Sequence, residues 1–277
     1  MSPGAVVGSG RSRLTPVSDS ELLVTSADGV VTVVFNRPQR HNAFTKAMYA
    51  EMRALFEDLA HRPDVRVVVL RGAGGRAFAA GNDIGDFLDE ADASAYEEWI
   101  GEMLAALFEL PQVTIAAVDG VCVGGGLAVA THCDIRIATP ESRFGYPIAR
   151  TLGNALSAPV LYRCAAAFGE GVTRTMLLTG RLVDAERAYA VGALTEVTED
   201  LNAAIDALVG EITAASATTQ RASKRQLNAQ VRANEVQPDF DRPMLGEVYS
   251  GADFKEGVRA FMAKEKPKFG ADGQPAS

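Results

Sequence analysis

The sequence predicts an α/β protein, with a strand-and-helix core followed by a purely helical piece. Three observations carry the prediction. Short β-branched apolar runs, at Val30 to Phe35, Val65 to Leu70 and Val113 to Val118, alternate with segments whose apolar residues recur at helical spacing. Gly-rich or Asp-Gly punctuation separates them, as at Asp28-Gly29, Gly72 to Gly75 and Asp119-Gly120. From Leu201 onward the strand signals vanish and only helical patterns remain. The expected division is therefore a tail over residues 1–20, a core over 21–200 and a helical region over 201–277.

The elements follow in order. Leu22 to Val24 and Val30 to Phe35 flank Asp28-Gly29 and read as a hairpin, which Pro38 terminates. Thr45 is placed to cap a helix whose stripe is Met48, Met52, Leu55, Phe56 and Leu59. Val65 to Leu70 is apolar at every position but Arg66, the mark of a strand buried on both faces. After the loop Arg71 to Arg76, the acidic stretch following Gly85 (Asp86, Asp89, Glu90, Asp92) reads as helical. A further helix turns Trp99, Met103, Leu104, Leu107 and Phe108 inward before Pro111. Ile135 to Ala138 and Arg143 to Tyr146 read as short strands around Thr139-Pro140, Val160 to Phe168 and Thr173 to Leu178 as helices, and Leu194 to Val197 as a last strand. Three helical segments complete the chain: one to Thr213, one around Arg221 to Val231 and one from Gly246 to Lys266.

Composition removes several functional classes. The 277 residues, 47% of them hydrophobic, suffice for a full core. A net charge of −8 without a long basic run argues against a nucleic-acid partner held through phosphates. Cys122, Cys133 and Cys164 are odd in number, form no Cys-x-x-Cys pair and point to neither a disulfide framework nor a metal site. No apolar run is long enough to span a bilayer, and residues 1–20 lack the basic-then-apolar order of a signal peptide, so no membrane role and a cytoplasmic location are expected.

The most informative stretch runs from Val118 to Ala130, where Gly124-Gly125-Gly126 separates an apolar strand from a helical segment. Bare backbone lets a ligand approach closely, and a helix opening there would present unpaired N–H groups to an anion or a developing oxyanion. The other reading is that the glycines only permit close helix–sheet packing. Gly72 and Gly74 make an incomplete nucleotide-loop pattern with no helix directly after it, and carry little weight.

Six motifs in order resemble the crotonase, or enoyl-CoA hydratase/isomerase, superfamily over about Glu21 to Phe269: Asn36-Arg37-Pro38 with Asn42-Ala43, Ala77 to Ile84, Gly120 to Gly126 with Cys133-Asp134, Arg143 to Pro147, Leu178-Thr179-Gly180 with Asp184-Ala185, and Gly257 to Phe261 with Lys264 and Lys266. The resemblance implies a spiral of strand–strand–helix turns whose C-terminal helices assemble a homotrimer or a dimer of trimers. It implies an acyl-CoA thioester substrate, with coenzyme A as part of the substrate and no tightly bound cofactor. The thioester oxygen would accept from the backbone N–H groups of Asn82 and Gly125, which leaves the Asn82 side-chain type unconstrained. Coenzyme A would meet Arg40 near its phosphates and the Ala79–Asp83 backbone, including Gly81 and Asp83, near its adenine. Phe261 and Lys264 would reach it from a neighbouring subunit.

Two positions depart from the family pattern. Ala128 and Ile148 stand where the resemblance places the two acid–base glutamates of a hydratase. Losing each typically costs about 10²–10⁴ in rate. Arg150, Asn154 and Ser157 are the polar residues that follow at once; Asn154 is the candidate to hold a water or substrate oxygen, and Ser157 reads as a helix cap. Asp86 and Asp89 read mainly as solvated charges, Tyr146 as turned away beside a core Phe144, and His41, His61 and His132 as structural. Two functions follow: an acyl-CoA enzyme working through its oxyanion hole, by isomerisation, decarboxylation or thioester hydrolysis, or a non-catalytic acyl-CoA-binding or regulatory homologue.

Overall fold

Among the described residues ten strands are shared between two sheets, and successive strands of the middle of the chain cross from one sheet to the other. The computed structural model describes residues 20–83, 85, 93–233, 240 and 242–270. The acidic stretch containing Asp86 and Asp89, like most of the expected N-terminal tail, lies outside them.

The hairpin forms as the Asp28-Gly29 turn dictates, with β1 (Leu22–Ala27) and β2 (Val30–Phe35) paired antiparallel. Helix α1 (Lys46–Leu59) starts at Thr45, whose hydroxyl accepts from the Met48 N–H and so satisfies a first-turn donor, typically worth about 1 kcal/mol. The spiral then begins. β3 (Val67–Gly72) joins the large sheet, β4 (Ala77–Ala79) the small one, and α2 (Ala93–Phe108) returns the chain. The next turn repeats this with β5 (Val113–Val118), β6 (Val121–Val123) and α3 (Gly125–His132). A third turn has β7 (Ile135–Ala138), β8 (Arg143–Gly145), and helices α4 (Ile148–Thr151), α5 (Ala158–Phe168) and α6 (Glu170–Thr179). β9 (Val183–Asp184), α7 (Ala185–Ala190) and β10 (Glu196–Val197) close the core. The large sheet runs β1-β2-β3-β5-β7-β10 and the small one β4-β6-β8-β9. The Thr139-Pro140 turn therefore carries the chain between sheets rather than pairing its two flanking strands.

Helix α3 is buried from Gly126 to His132, which explains its lack of a polar face. The helical region is less separate than its composition suggests. In β3, Val68 and Leu70 face the main core while Val67 and Val69 face outward, where Leu201, Ala204 and Ile212 of α8 (Leu201–Ala214) cover them. That cover is why β3 is apolar on both faces from Val67 to Leu70. Helix α9 (Ala217–Ala233) is tied down by Lys224, paired with Asp134 at 2.7 Å, and by Asn228, which donates to the Phe108 carbonyl. The expected last helix is two, α10 (Arg242–Ser250) and α11 (Ala252–Ala263), broken at Gly251. The break lets α11 fold back over Leu152 and Gly153: a Cβ on Gly257 would lie 2.2 Å from the Leu152 carbonyl oxygen.

Candidate active site

A cavity of about 510 Å³ opens between α1, α2, the N-terminus of α3 and the returning helix α11. The glycines build one wall. Gly124 has φ 55° and ψ −127°, so the chain turns there and the helix starts at Gly125. The Gly125 N–H thus belongs to the first turn, where no intrahelical acceptor exists, and the helix dipole adds partial positive charge. On the facing loop, Gly81 stands close enough that a Cβ on it would lie 3.8 Å from the Gly125 nitrogen.

Asn82 bridges Phe44 in parallel fashion: the Phe44 N–H donates to Gly81 O and the Asp83 N–H donates to Phe44 O, both at 2.8 Å. In that pattern the residues flanking Asn82 make the bonds, so its own N–H and C=O point away from Phe44. Two loops thus contribute backbone at one place in the cavity wall.

The first motif proves to be the scaffold of this loop. Asn42, fully buried, receives the Arg37 N–H and donates to the carbonyls of Ala73 and Ala77. Arg37 bonds the Ala43 carbonyl and pairs with Glu21 at 2.8 Å and Asp83 at 2.9 Å. Asp83 also accepts from the Gly85 N–H, so it lines the cavity while anchoring the loop.

The side chain of Asn82 is not free to vary. Its Oδ1 accepts from the buried Tyr49 hydroxyl at 2.7 Å, and this pair packs on Gly125. Burial, and next the nearby Tyr96 and Glu97, push the Tyr49 phenol above its ordinary range, so it stays protonated and donates. A contact between two side chains 33 positions apart had no local signal, and Tyr49 is not among the residues of the expected helical stripe.

The other expected residues divide. Arg40, Gly81, Asn154 and Phe261 line the cavity, Arg40 exposed at its edge. Ala79 is fully buried in β4, with its carbonyl against Gly126, and stands behind the wall rather than on it. Phe261 lines the cavity of its own chain, because α11 folds back. Lys264 is the left-handed cap of α11, exposed and outside the cavity wall. Ser157 occupies the cap position of α5 without a side-chain cap bond.

Ala128 and Ile148 both line the cavity, next to Leu104, Leu156 and Val160. Neither side chain can transfer a proton. Tyr146 is buried and lies off the wall, as do His61, bonded to the Glu57 carbonyl, and His132, bonded to the Ala128 carbonyl. Burial, with Arg163 adding to it, holds the His132 imidazole down at about 4. His41 does reach the cavity wall, in a left-handed conformation with φ 50°. The buried thiols of Cys133 and Cys164 are pushed up by burial to about 12 and about 11, which leaves them un-ionised at neutral pH.

One carboxylate on the wall escaped the sequence reading. Glu97 shares a face of α2 with Ile100 and Leu104, at helical spacing, and all three line the cavity. An acidic residue in an otherwise apolar stripe was the available signal.

The arrangement can do one thing well: hold an oxygen that gains negative charge, inside a largely apolar cavity where such donors are strongest. Among the described residues there is no cluster of side chains suited to a metal ion, and no helix long and apolar enough to cross a membrane.

Comparison with known proteins agrees with this architecture. The sequence profile of the enoyl-CoA hydratase/isomerase family matches residues 25–272. A Thermus thermophilus protein assigned as an enoyl-CoA hydratase is 33% identical, over 89% of this chain and all of its own length. Among solved structures, an enoyl-CoA hydratase/carnithine racemase from Magnetospirillum magneticum is 32% identical with a TM-score of 0.74, covering 92% of this chain and 97% of its own. Methylmalonyl-CoA decarboxylase in complex with 2-nitronate-propionyl-CoA superimposes with a TM-score of 0.83 at 25% identity, covering 91% and 99% of the two chains. The chain belongs to the enoyl-CoA hydratase/isomerase family.

Proposed function

We propose that this protein is an enzyme that binds an acyl-CoA thioester with the carbonyl oxygen between the N–H groups of Asn82 and Gly125, and that its chemistry passes through the resulting enolate. The observation that carries the reading is the meeting of the Gly125 helix start and the Asn82 loop at one cavity wall. Charge that develops on a thioester oxygen during proton or CO₂ loss at the neighbouring carbon is stabilised there, by about 3 kcal/mol per donor. Arg40 at the edge suits the phosphates of coenzyme A, and the Gly81–Asp83 backbone the rest of that group. Ala128 and Ile148 leave the wall apolar where a hydratase of this family would carry its glutamates, so addition of water is disfavoured.

Assembly as a homotrimer or dimer of trimers is proposed as well, supported by large apolar side chains exposed on the C-terminal helices, Leu227 at 63% and Met262 at 58%.

The test pairs binding with turnover. Calorimetry with butyryl-CoA is expected to show saturable binding, while crotonyl-CoA is hydrated at least about 100-fold below an ordinary turnover of ~10 s⁻¹. Hydration at ordinary rates would overturn the reading of Ala128 and Ile148, and no binding would overturn the acyl-CoA assignment.

A further inference from the structure

We infer that Glu97 is the catalytic acid–base residue of this cavity, carrying a proton to and from the acyl chain, with Tyr249 as its positioning residue. The inference rests on the acyl-CoA reading above and adds to it the group that moves the proton.

Three observations support it. Glu97 lies on the cavity wall one and two helical turns from Ile100 and Leu104, so its carboxylate sits among apolar side chains where an acyl chain would lie. Its position is fixed: the Tyr249 hydroxyl donates to Glu97 Oε1 at 2.6 Å, with a longer contact to the Ala155 carbonyl at 3.2 Å. Asn154 Nδ2 approaches the same hydroxyl at 3.4 Å, and Asn154 Oδ1 is buried without a hydrogen-bond partner on the same wall. Glu97 is also close enough to the oxyanion wall to act on Tyr49, the residue that holds Asn82. Asp83, the other carboxylate among the described residues of the wall, is already paired with Arg37 and sits on the loop itself.

The step balances with these groups alone. The Glu97 carboxylate takes the proton from the carbon next to the thioester. The C–H bond breaks, its electron pair forms the carbon–carbon double bond of the enolate, and the carbonyl pair moves to the oxygen held by Asn82 and Gly125. Return of the proton to the same carbon gives exchange. In a β,γ-unsaturated thioester, its delivery to the γ carbon moves the double bond into conjugation. A single carboxylate serves both halves, as a cavity with apolar residues at 128 and 148 requires. Substrates would then be enoyl-CoA thioesters unsaturated at the β,γ position.

The experiment incubates the full-length protein with butyryl-CoA in D₂O and follows deuterium at the α carbon by mass spectrometry, with Kd measured in parallel. Wild type is expected to exchange. Glu97→Gln should slow exchange by about 10²-fold or more and leave Kd within a few-fold; Glu97→Asp should retain part of the rate. The wild-type rate should rise with pH as a carboxylate ionises, and the Glu97→Gln profile should be flat. Tyr249→Phe removes a donor to the ionised carboxylate and should move the midpoint of that profile to higher pH. Binding without exchange, or exchange untouched in Glu97→Gln, overturns the assignment of Glu97 while the acyl-CoA reading stands. An unmoved midpoint overturns the role of Tyr249. Failure to bind butyryl-CoA at all overturns the acyl-CoA reading, and this inference with it.

Discussion

Gly125→Ala tests the oxyanion site at its tightest point. A Cβ at this position would lie 2.3 Å from Asn82 Oδ1 and 2.6 Å from the Tyr49 hydroxyl, well inside the ~3.5 Å of ordinary contact. Neither neighbour yields easily, because Tyr49 is 1% exposed and hydrogen-bonded to Asn82. The start of α3 must shift or the Asn82 loop must move, and either displaces a backbone donor. Losing one such donor typically costs about 3–4 kcal/mol, or roughly 10²–10³ in affinity for a ligand that resembles the charged state. Crowding by the methyl group costs about 1–3 kcal/mol of stability besides. The assay compares Kd for 2-nitronate-propionyl-CoA, whose conjugated anion mimics an enolate, with Kd for propionyl-CoA, in wild type and variant. Gly125→Ala is expected to lose about 100-fold for the nitronate but only a few-fold for propionyl-CoA, with a lower Tm. Equal nitronate affinity in the two proteins would refute the assignment of Gly125 as a donor.

Two further outcomes are expected. The folded state holds His132 at about 4, below its ordinary 6.5, so between these values the unfolded chain binds more protons and stability rises with pH. The contribution is fully present above about pH 6.5 and is lost as pH falls toward 4, an effect of about 3 kcal/mol; urea midpoints at pH 7.5 and 4.5 should differ more for wild type than for His132→Gln, and equal differences would remove His132 as the cause. Phe261 is 54% exposed but lies on the cavity wall, so Phe261→Ala forfeits only part of the ~1.5–3 kcal/mol of a fully buried large apolar side chain and should lower acyl-CoA affinity a few-fold. A fall as large in Met262→Ala, whose residue is 58% exposed and off the wall, would show that the helix rather than Phe261 is responsible.

Much of this protein is written locally. The Asp28-Gly29 hairpin, the Thr45 cap and the glycine start of α3 each depend on neighbours in sequence and form where their residues direct, while β3 forms two residues later than its apolar run, over Val67–Gly72. The ordered motifs carried the family, and residue types alone marked Ala128 and Ile148 as unable to transfer protons. Other features depend on pairs remote in the chain. The partition of strands between two sheets, and the burial of the outer face of β3 by α8, follow from how successive turns stack. So do the Tyr49–Asn82 bond across 33 positions, the displacement of Ala79 behind the wall and the return of α11, which brings Phe261 to its own cavity. Glu97 looks from sequence like one more acidic residue of a helix. Only packing turns that face of α2 into the cavity, and only the break at Gly251 lies between the helix that carries Tyr249 to the Glu97 carboxylate and the one that closes the site. A sequence fixes which groups can do chemistry; the chain's long-range contacts decide which of them meet.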